Sequence, residues 1–252
     1  MLKSARQSHI RRLVDEKGEI SVTELNAILD VSEATIRRDL EQLADAGWVR
    51  RTHGGALRIG LAPAEPPINQ RMVENAAEKE AIGRLAAGLV HDGDTIFLGS
   101  GSTVQAMVPF LRERQNLTVI SNSLPVINQM ARTNVELIVI GGMFRTSEQS
   151  MVGHVADQAI REFRADHAFM GIRGIAVEHG LTSDFLPEAV TDRAILGMAP
   201  DCVIVADHSK FDRVGSVFLA PITSANRVIT DSAAPPGTVA ELREAGVEVL
   251  TA

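Results

Sequence analysis

Apolar and polar positions follow two different rhythms along this chain. Up to residue 58, apolar residues recur every three or four positions, the spacing of one helix face. Ile10, Leu13 and Val14 form a first helical stripe that Gly18 ends. Ser21 and Glu24 make a capping box, the serine hydroxyl capping a backbone N–H while the glutamate reaches back. It opens a second helix whose Leu25, Ile28 and Leu29 are expected to face inward. Asp30-Val31 makes a short turn, and Ser32 caps a third helix running to about Ala46. "GWVRRTHGGALRI" then predicts two short extended pieces about Gly54-Gly55.

From residue 76 onward, short apolar runs alternate with helical patterns. Helices are predicted near 76–90, 103–113, 124–132, 154–164, 187–198 and 237–245. Strands are predicted near 95–98, 117–121, 135–140, 166–170, 202–206, 227–230 and 247–251. Short apolar strands bounded by helices indicate a mostly parallel sheet covered on both faces. Between the two regions, "RIGLAPAEPPINQ" has three prolines and little periodicity. The expected organisation is a winged helix-turn-helix domain over 1–58, a linker over 59–75 and a Rossmann-like α/β domain over 76–252.

The third helix carries the first candidate chemistry. At about 100° per residue, Ile36, Leu40 and Leu43 cluster as its buried stripe, with Ala34, Arg38 and Glu41 opposite and Thr35 and Arg37 on the flanks. Its exposed start, Ser32, Glu33, Ala34, Thr35, Arg37 and Arg38, offers small and hydroxyl side chains plus two arginines. A helix entering the major groove needs that mixture, because small residues permit close approach and arginine bonds a guanine edge or a phosphate. Arg50, Arg51 and His53 on the following ribbon are placed to reach phosphates. Net charge is −7, which taken whole argues against nucleic acid. Residues 1–58, however, hold 10 Lys and Arg against 9 Asp and Glu, so the acidity belongs to the larger part.

The second candidate is Gly99-Ser100-Gly101-Ser102-Thr103, where a strand gives way to a helix. Free backbone N–H groups and the helix dipole favour an anion there, and three hydroxyls add donors. A dinucleotide fingerprint would need glycine at Val104 and an acid near Asn122; a P-loop would need a lysine. A small phosphoester site remains. Further polar residues stand at predicted strand ends: Asn122-Ser123, Gly141-Gly142, Gly171, and Asp207 to Lys210. In an open parallel sheet those ends share one crevice. Lys210 is the natural second phosphate partner and Arg145 a weaker one. Asp207, His208 and Ser209 are consecutive and do not make a hydrolase triad.

No apolar run approaches the roughly 20 residues of a membrane span, and the N-terminus has no signal-peptide h-region. A cytoplasmic location without a membrane partner is therefore expected. The single Cys202 reads as core. His91, His154 and His179 are too scattered for a metal site, and neither metal nor cofactor is expected.

The chain also resembles the DeoR family. "VSEATIRRDL" with "HGGA" matches its winged helix-turn-helix signature. "EKEAIGRLAAGLVHDGDTIFLGSGST", "TVISNSLPV", "HAFMGIRGI" and "VIVADHSKF" match its effector domain. The resemblance implies a repressor of a carbohydrate operon that binds operator DNA and responds, by induction, to a phosphorylated sugar. Because one winged helix contacts one half-site and operators are commonly paired, a dimer or tetramer is expected. It implies an effector domain of the ribose-5-phosphate isomerase and CoA-transferase type. Those isomerases carry an acidic strand end, whereas residues 167–174 here read HAFMGIRG, with no carboxylate to act as base. Asp184 and Glu188 are the nearest later acids and read as hydroxyl-binding or capping residues. The competing expectation is a sugar-phosphate isomerase fused to a DNA-binding module. Arg173 has no assigned role.

Overall fold

The computed structural model describes residues 3–17, 19–45, 49–52, 54–58 and 65–252. They fall into two compact units, Met1–Leu61 and Ala62–Ala252.

In the first unit, α1 (Lys3–Lys17), α2 (Val22–Leu29) and α3 (Glu33–Asp45) enclose Ile10, Val14, Leu25, Ile36 and Leu40. The capping box forms: the Glu24 N–H donates to Ser21 Oγ at 3.1 Å, and the Ser21 N–H to Glu24 Oε2 at 3.0 Å. A small antiparallel sheet places Gly55–Arg58 between Glu19–Ser21 and Val49–Arg51. Asp39 is buried and accepts from Arg6 Nε and Gln7 Nε2, which locks α3 to α1. Ile28 departs from expectation and is 44% exposed. The inward face of this eight-residue helix is Val22, Leu25 and Leu29, and Ile28 falls about 100° away from Leu29. The expected stops at Gly18 and Ala46 lie outside the described residues.

The second unit is built on seven parallel strands: β1 (Thr95–Leu98), β2 (Thr118–Ser121), β3 (Glu136–Val139), β4 (His167–Met170), β5 (Asp201–Val205), β6 (Arg227–Thr230) and β7 (Glu248–Thr251). Their order is β7-β6-β5-β4-β1-β2-β3. Side chains alternate between two cores, Phe97 packing on one face and Ile96 and Leu98 on the other. From β1 the chain builds outward to β3, then crosses back to β4. Loops after β1 and β4 therefore leave toward opposite faces and open a crevice between them.

Four features depart from the predicted pattern. The expected helix over 103–113 is only Ser102–Gln105, followed by a 3₁₀ turn at Val108–Phe110, because Pro109 has no N–H to continue an α-helix. An antiparallel sheet of Gly174–Ala176, Gly180–Ser183 and Val217–Ala220 and a hairpin of Met143–Arg145 with Ser150–Val152 were not anticipated. Much of the expected linker also folds into this unit. Ile68–Arg71 is a helical turn with Ile68 and Arg71 buried, while residues 59–64 lie outside the described ones. Among the described residues, no helix is long and apolar enough to cross a membrane.

Candidate functional site

The start of α3 presents its polar face as the sequence pattern requires. Ile36, Leu40 and Leu43 are buried, while Ser32, Glu33, Ala34, Arg37 and Arg38 are exposed and Thr35 is half-buried. Ser32 Oγ accepts from the Thr35 N–H at 3.3 Å and meets Thr35 Oγ1 at 2.9 Å, fixing the first turn. Arg37 is drawn back along the helix to Glu33 at 3.2 Å. On the ribbon, exposed Arg51 pairs with Glu41 at 3.6 Å. Arg50 lies in the Val49–Arg51 strand, and His53 lies outside the described residues. Surface pairs of this kind contribute little to stability.

In the second unit, one cleft opens at the crevice between β1 and β4. It is lined by the whole Gly99 to Thr103 turn, by Gly171 and Arg173, and by Lys210. The Gly99 N–H donates to the Phe169 carbonyl at 2.9 Å, carrying the β1–β4 pairing into the turn. Gly101 has φ +125°, a conformation that L side chains rarely adopt. Ser102 and Thr103 are buried beneath the turn. The helix that follows is a single turn, so its dipole is a weaker source of positive potential than the expected three-turn helix.

Cationic side chains supply that potential instead. Lys210 is buried against the cleft, after β5. Arg173 follows β4, is buried, and is anchored through Nε to Asp184. Arg71, from the segment read as linker, is buried and pairs with buried Glu148. Arg71 is held from behind: Lys79 Nζ donates to its carbonyl and to that of Glu74. Burial pushes the Lys79 ammonium below its ordinary pKa, against the pull of Asp207. Asp207 itself receives the Ser209 N–H and the Asn75 amide, both at 3.0 Å. Burial pushes the Asp207 carboxyl up, but the Ser209 bonds and the charges of Lys79 and Lys210 bring it below its usual value.

The opposite wall is acidic. Glu188 and Asp192 stand one turn apart on helix Leu186–Leu196, beside Glu148. Burial, reinforced by Glu148, pushes Glu188 up to about 7 despite its bond to Arg145. Asp192 is raised well above its usual value by burial and by Glu188. Burial likewise raises Glu148 against the pull of Arg71. Met170, Ile172, Ile195 and Val205 add apolar lining, and Thr182 and Ser183 add hydroxyls. The free volume at its centre is about 50 Å³, several times the roughly 10–15 Å³ that one water needs.

Not every expected residue reaches the cleft. Asn122 is buried and bonds the Met151 carbonyl at 2.9 Å, and buried Ser123 bridges to Ser150, so both secure the hairpin. Gly141 and Gly142 are exposed at that hairpin, where a Cβ on Gly142 would meet the Val152 carbonyl at 2.9 Å. Asp184 supports Arg173 from behind and accepts from the Ser216 N–H at 3.2 Å. His208 is turned away to Asp231, at 3.0 Å. Arg71, Glu65, Glu148 and Asp192 were missed. The buried charges in "INQRMVENAAEKE" and the i, i+4 acids of "PEAVTD" were the available signals. The β4 end lacks a carboxylate, but the cleft does not, because helix Leu186–Leu196 supplies two.

Residues 6–60 match the DeoR-like helix-turn-helix domain and residues 74–232 the DeoR C terminal sensor domain. The transcriptional repressor AccR of Agrobacterium fabrum is 35% identical over 229 residues, covering 90% of this chain and 89% of that protein. The glycerol-3-phosphate regulon repressor of Escherichia coli is 33% identical, with 96% of each chain covered. Among solved structures, ribose 5-phosphate isomerase A of Methanocaldococcus jannaschii gives a TM-score of 0.41 at 20% identity over 55% of either chain.

Proposed function

This chain belongs to the DeoR family of DNA-binding transcriptional regulators, and on that premise we propose that it represses a carbohydrate operon and is released from its operator by a phosphorylated sugar. The observation that carries this reading is the convergence of Lys210, Arg71 and Arg173 on the Gly99–Thr103 turn at the β1/β4 crevice. Cations, hydroxyls and close backbone suit a phosphate. The acidic wall of Glu188, Asp192 and Glu148 suits sugar hydroxyls, since carboxylates accept and protonated carboxyls donate. One winged helix reads one half-site, so the working form on paired half-sites is a homodimer or tetramer.

A ligand of the folded state must raise its stability. A panel of triose, pentose and hexose phosphates should therefore raise the melting temperature of the full chain. The active member should weaken binding to operator DNA in fluorescence anisotropy, and Lys210→Ala should lose both responses. No stabilisation by any phosphate ester would overturn the sensor reading.

A second reading rests on Glu188, a cleft carboxylate pushed up to about 7, where a general base works well near neutral pH. Isomerisation of a panel member, abolished in Glu188→Gln with binding retained, would make the cleft an active site. Binding without turnover supports the sensor.

A further inference from the structure

The cationic side of the cleft already contains an anion, and it belongs to the chain itself. Glu65 Oε1 is bonded by Lys210 Nζ, lies 3.3 Å from Arg71 Nη1 and 3.9 Å from Arg173 Nη1. One carboxylate oxygen thus sits at the meeting point of three cations contributed by three separate parts of the chain. The Glu65 side chain is only 13% exposed, and Glu65 lines the same cleft as Ser100, Ser102 and Thr103. We propose that Glu65 is an internal stand-in for the effector's phosphate, so that a phosphate must expel the Glu65 carboxylate in order to bind. This inference rests on reading the cleft as a phosphate site.

Charge makes the two anions exclusive. With Glu65 in place, Lys210, Arg71 and Arg173 face Glu65, Glu148 and Asp184, three positive groups against three negative. A phosphate monoester brings roughly −1.5 to −2 more. In a largely buried site that excess is only weakly screened by solvent. Departure of Glu65 removes one negative charge and frees Lys210. A phosphate also offers three acceptor oxygens to three cations where the carboxylate presents one.

Glu65 is attached in a way that permits its departure. Among the described residues of its segment, the first buried anchor is Ile68, whose N–H donates to the Ser147 carbonyl at 2.8 Å. Ahead of that anchor, Pro66 and Pro67 are exposed, and the Pro66 carbonyl accepts from Arg71 Nε at 3.0 Å. Residues 65 and 66 are therefore held by side chains of the anion site, Lys210 and Arg71 above all. A phosphate drawing on those side chains loosens both ties together.

The experiment measures binding of inorganic phosphate to the full chain by isothermal titration and by thermal shift, for wild type, Glu65→Gln, Glu65→Ala and Lys210→Ala. A site open for only a tenth of the time binds about tenfold more weakly than an open one. Glu65→Gln and Glu65→Ala should accordingly bind phosphate about tenfold or more tightly than wild type. Without phosphate both should melt lower than wild type, because Lys210 loses its counter-charge, and phosphate should restore the difference. Equal phosphate affinity in wild type and both Glu65 variants, with binding lost in Lys210→Ala, would overturn the stand-in and leave the phosphate site intact. Absence of phosphate binding in every variant would overturn the site reading and this inference with it.

Discussion

Gly171 and Ser100 touch across the β1/β4 crevice so closely that a Cβ on Gly171 would come within 3.1 Å of the Ser100 carbonyl oxygen. A side chain at position 171 would therefore press on the Gly99–Thr103 turn after β1. Gly171→Ala should push Ser100 and Gly101 outward by a few tenths of an ångström. The expected cost is about 1 kcal/mol, or roughly fivefold, in phosphate affinity. Operator affinity without ligand should be unchanged. Titration calorimetry and operator anisotropy on the same variant check both halves; an undiminished phosphate affinity would remove the turn from the site.

Ser102 is buried at the floor of that turn. Ser102→Asp places a negative charge where the phosphate is expected, and like charges a few ångströms apart repel by several kcal/mol in a partly buried site. Stabilisation by phosphate esters should vanish, while operator binding remains measurable and no longer responds to effector. A retained thermal shift would place the phosphate elsewhere.

Arg38 is exposed on the outer face of α3, one turn beyond Ala34. Arg38→Ala should weaken operator binding by about 1–3 kcal/mol if Arg38 reads a base, with the loss confined to one position of the operator. An equal loss on operator and random DNA, together with a shallower salt dependence, would make it a phosphate contact.

Glu188 gives stability a definite pH dependence. Its carboxyl titrates near 4.5 unfolded and at about 7 folded, so the folded state holds the proton more tightly. The contribution is complete below pH 4.5 and is lost as pH rises through 7. The span corresponds to about 3 kcal/mol at most. Wild type should lose melting temperature relative to Glu188→Gln between pH 5 and 7.5, measured calorimetrically without ligand. A parallel pair of curves would show that Arg145 holds Glu188 ionised throughout.

Much of this fold was legible because the signals were local. The seven apolar runs became seven parallel strands, and the Ile36, Leu40 and Leu43 stripe became the buried face of α3. The Gly99–Thr103 turn and Lys210 could be read because each follows an apolar strand, and strand ends converge in a parallel sheet. What was hidden depends on partners distant in sequence. Arg71 and Glu148 lie 77 residues apart, and Lys210 and Glu65 lie 145 apart. A proline-rich stretch looks like a tether until Ile68 finds its buried place. Asp184 resembled a sugar-binding acid because sequence does not reveal that it faces Arg173 rather than the cleft. The over-long helix at 103–113 arose from its apolar spacing, which does not register the break at Pro109.

The Glu65 carboxylate also bears on dosage. A regulator with an open pocket answers at a concentration fixed by how well the pocket grips its metabolite. Here the threshold is the grip divided by the fraction of time the chain's own carboxylate stands aside. That fraction depends on a side chain outside the sugar-selecting wall, so response threshold and sugar choice can be tuned separately. Shortening the arm by one methylene, as in Glu65→Asp, should move the midpoint of the operator response along the concentration axis. The rank order of sugars should stay as it was.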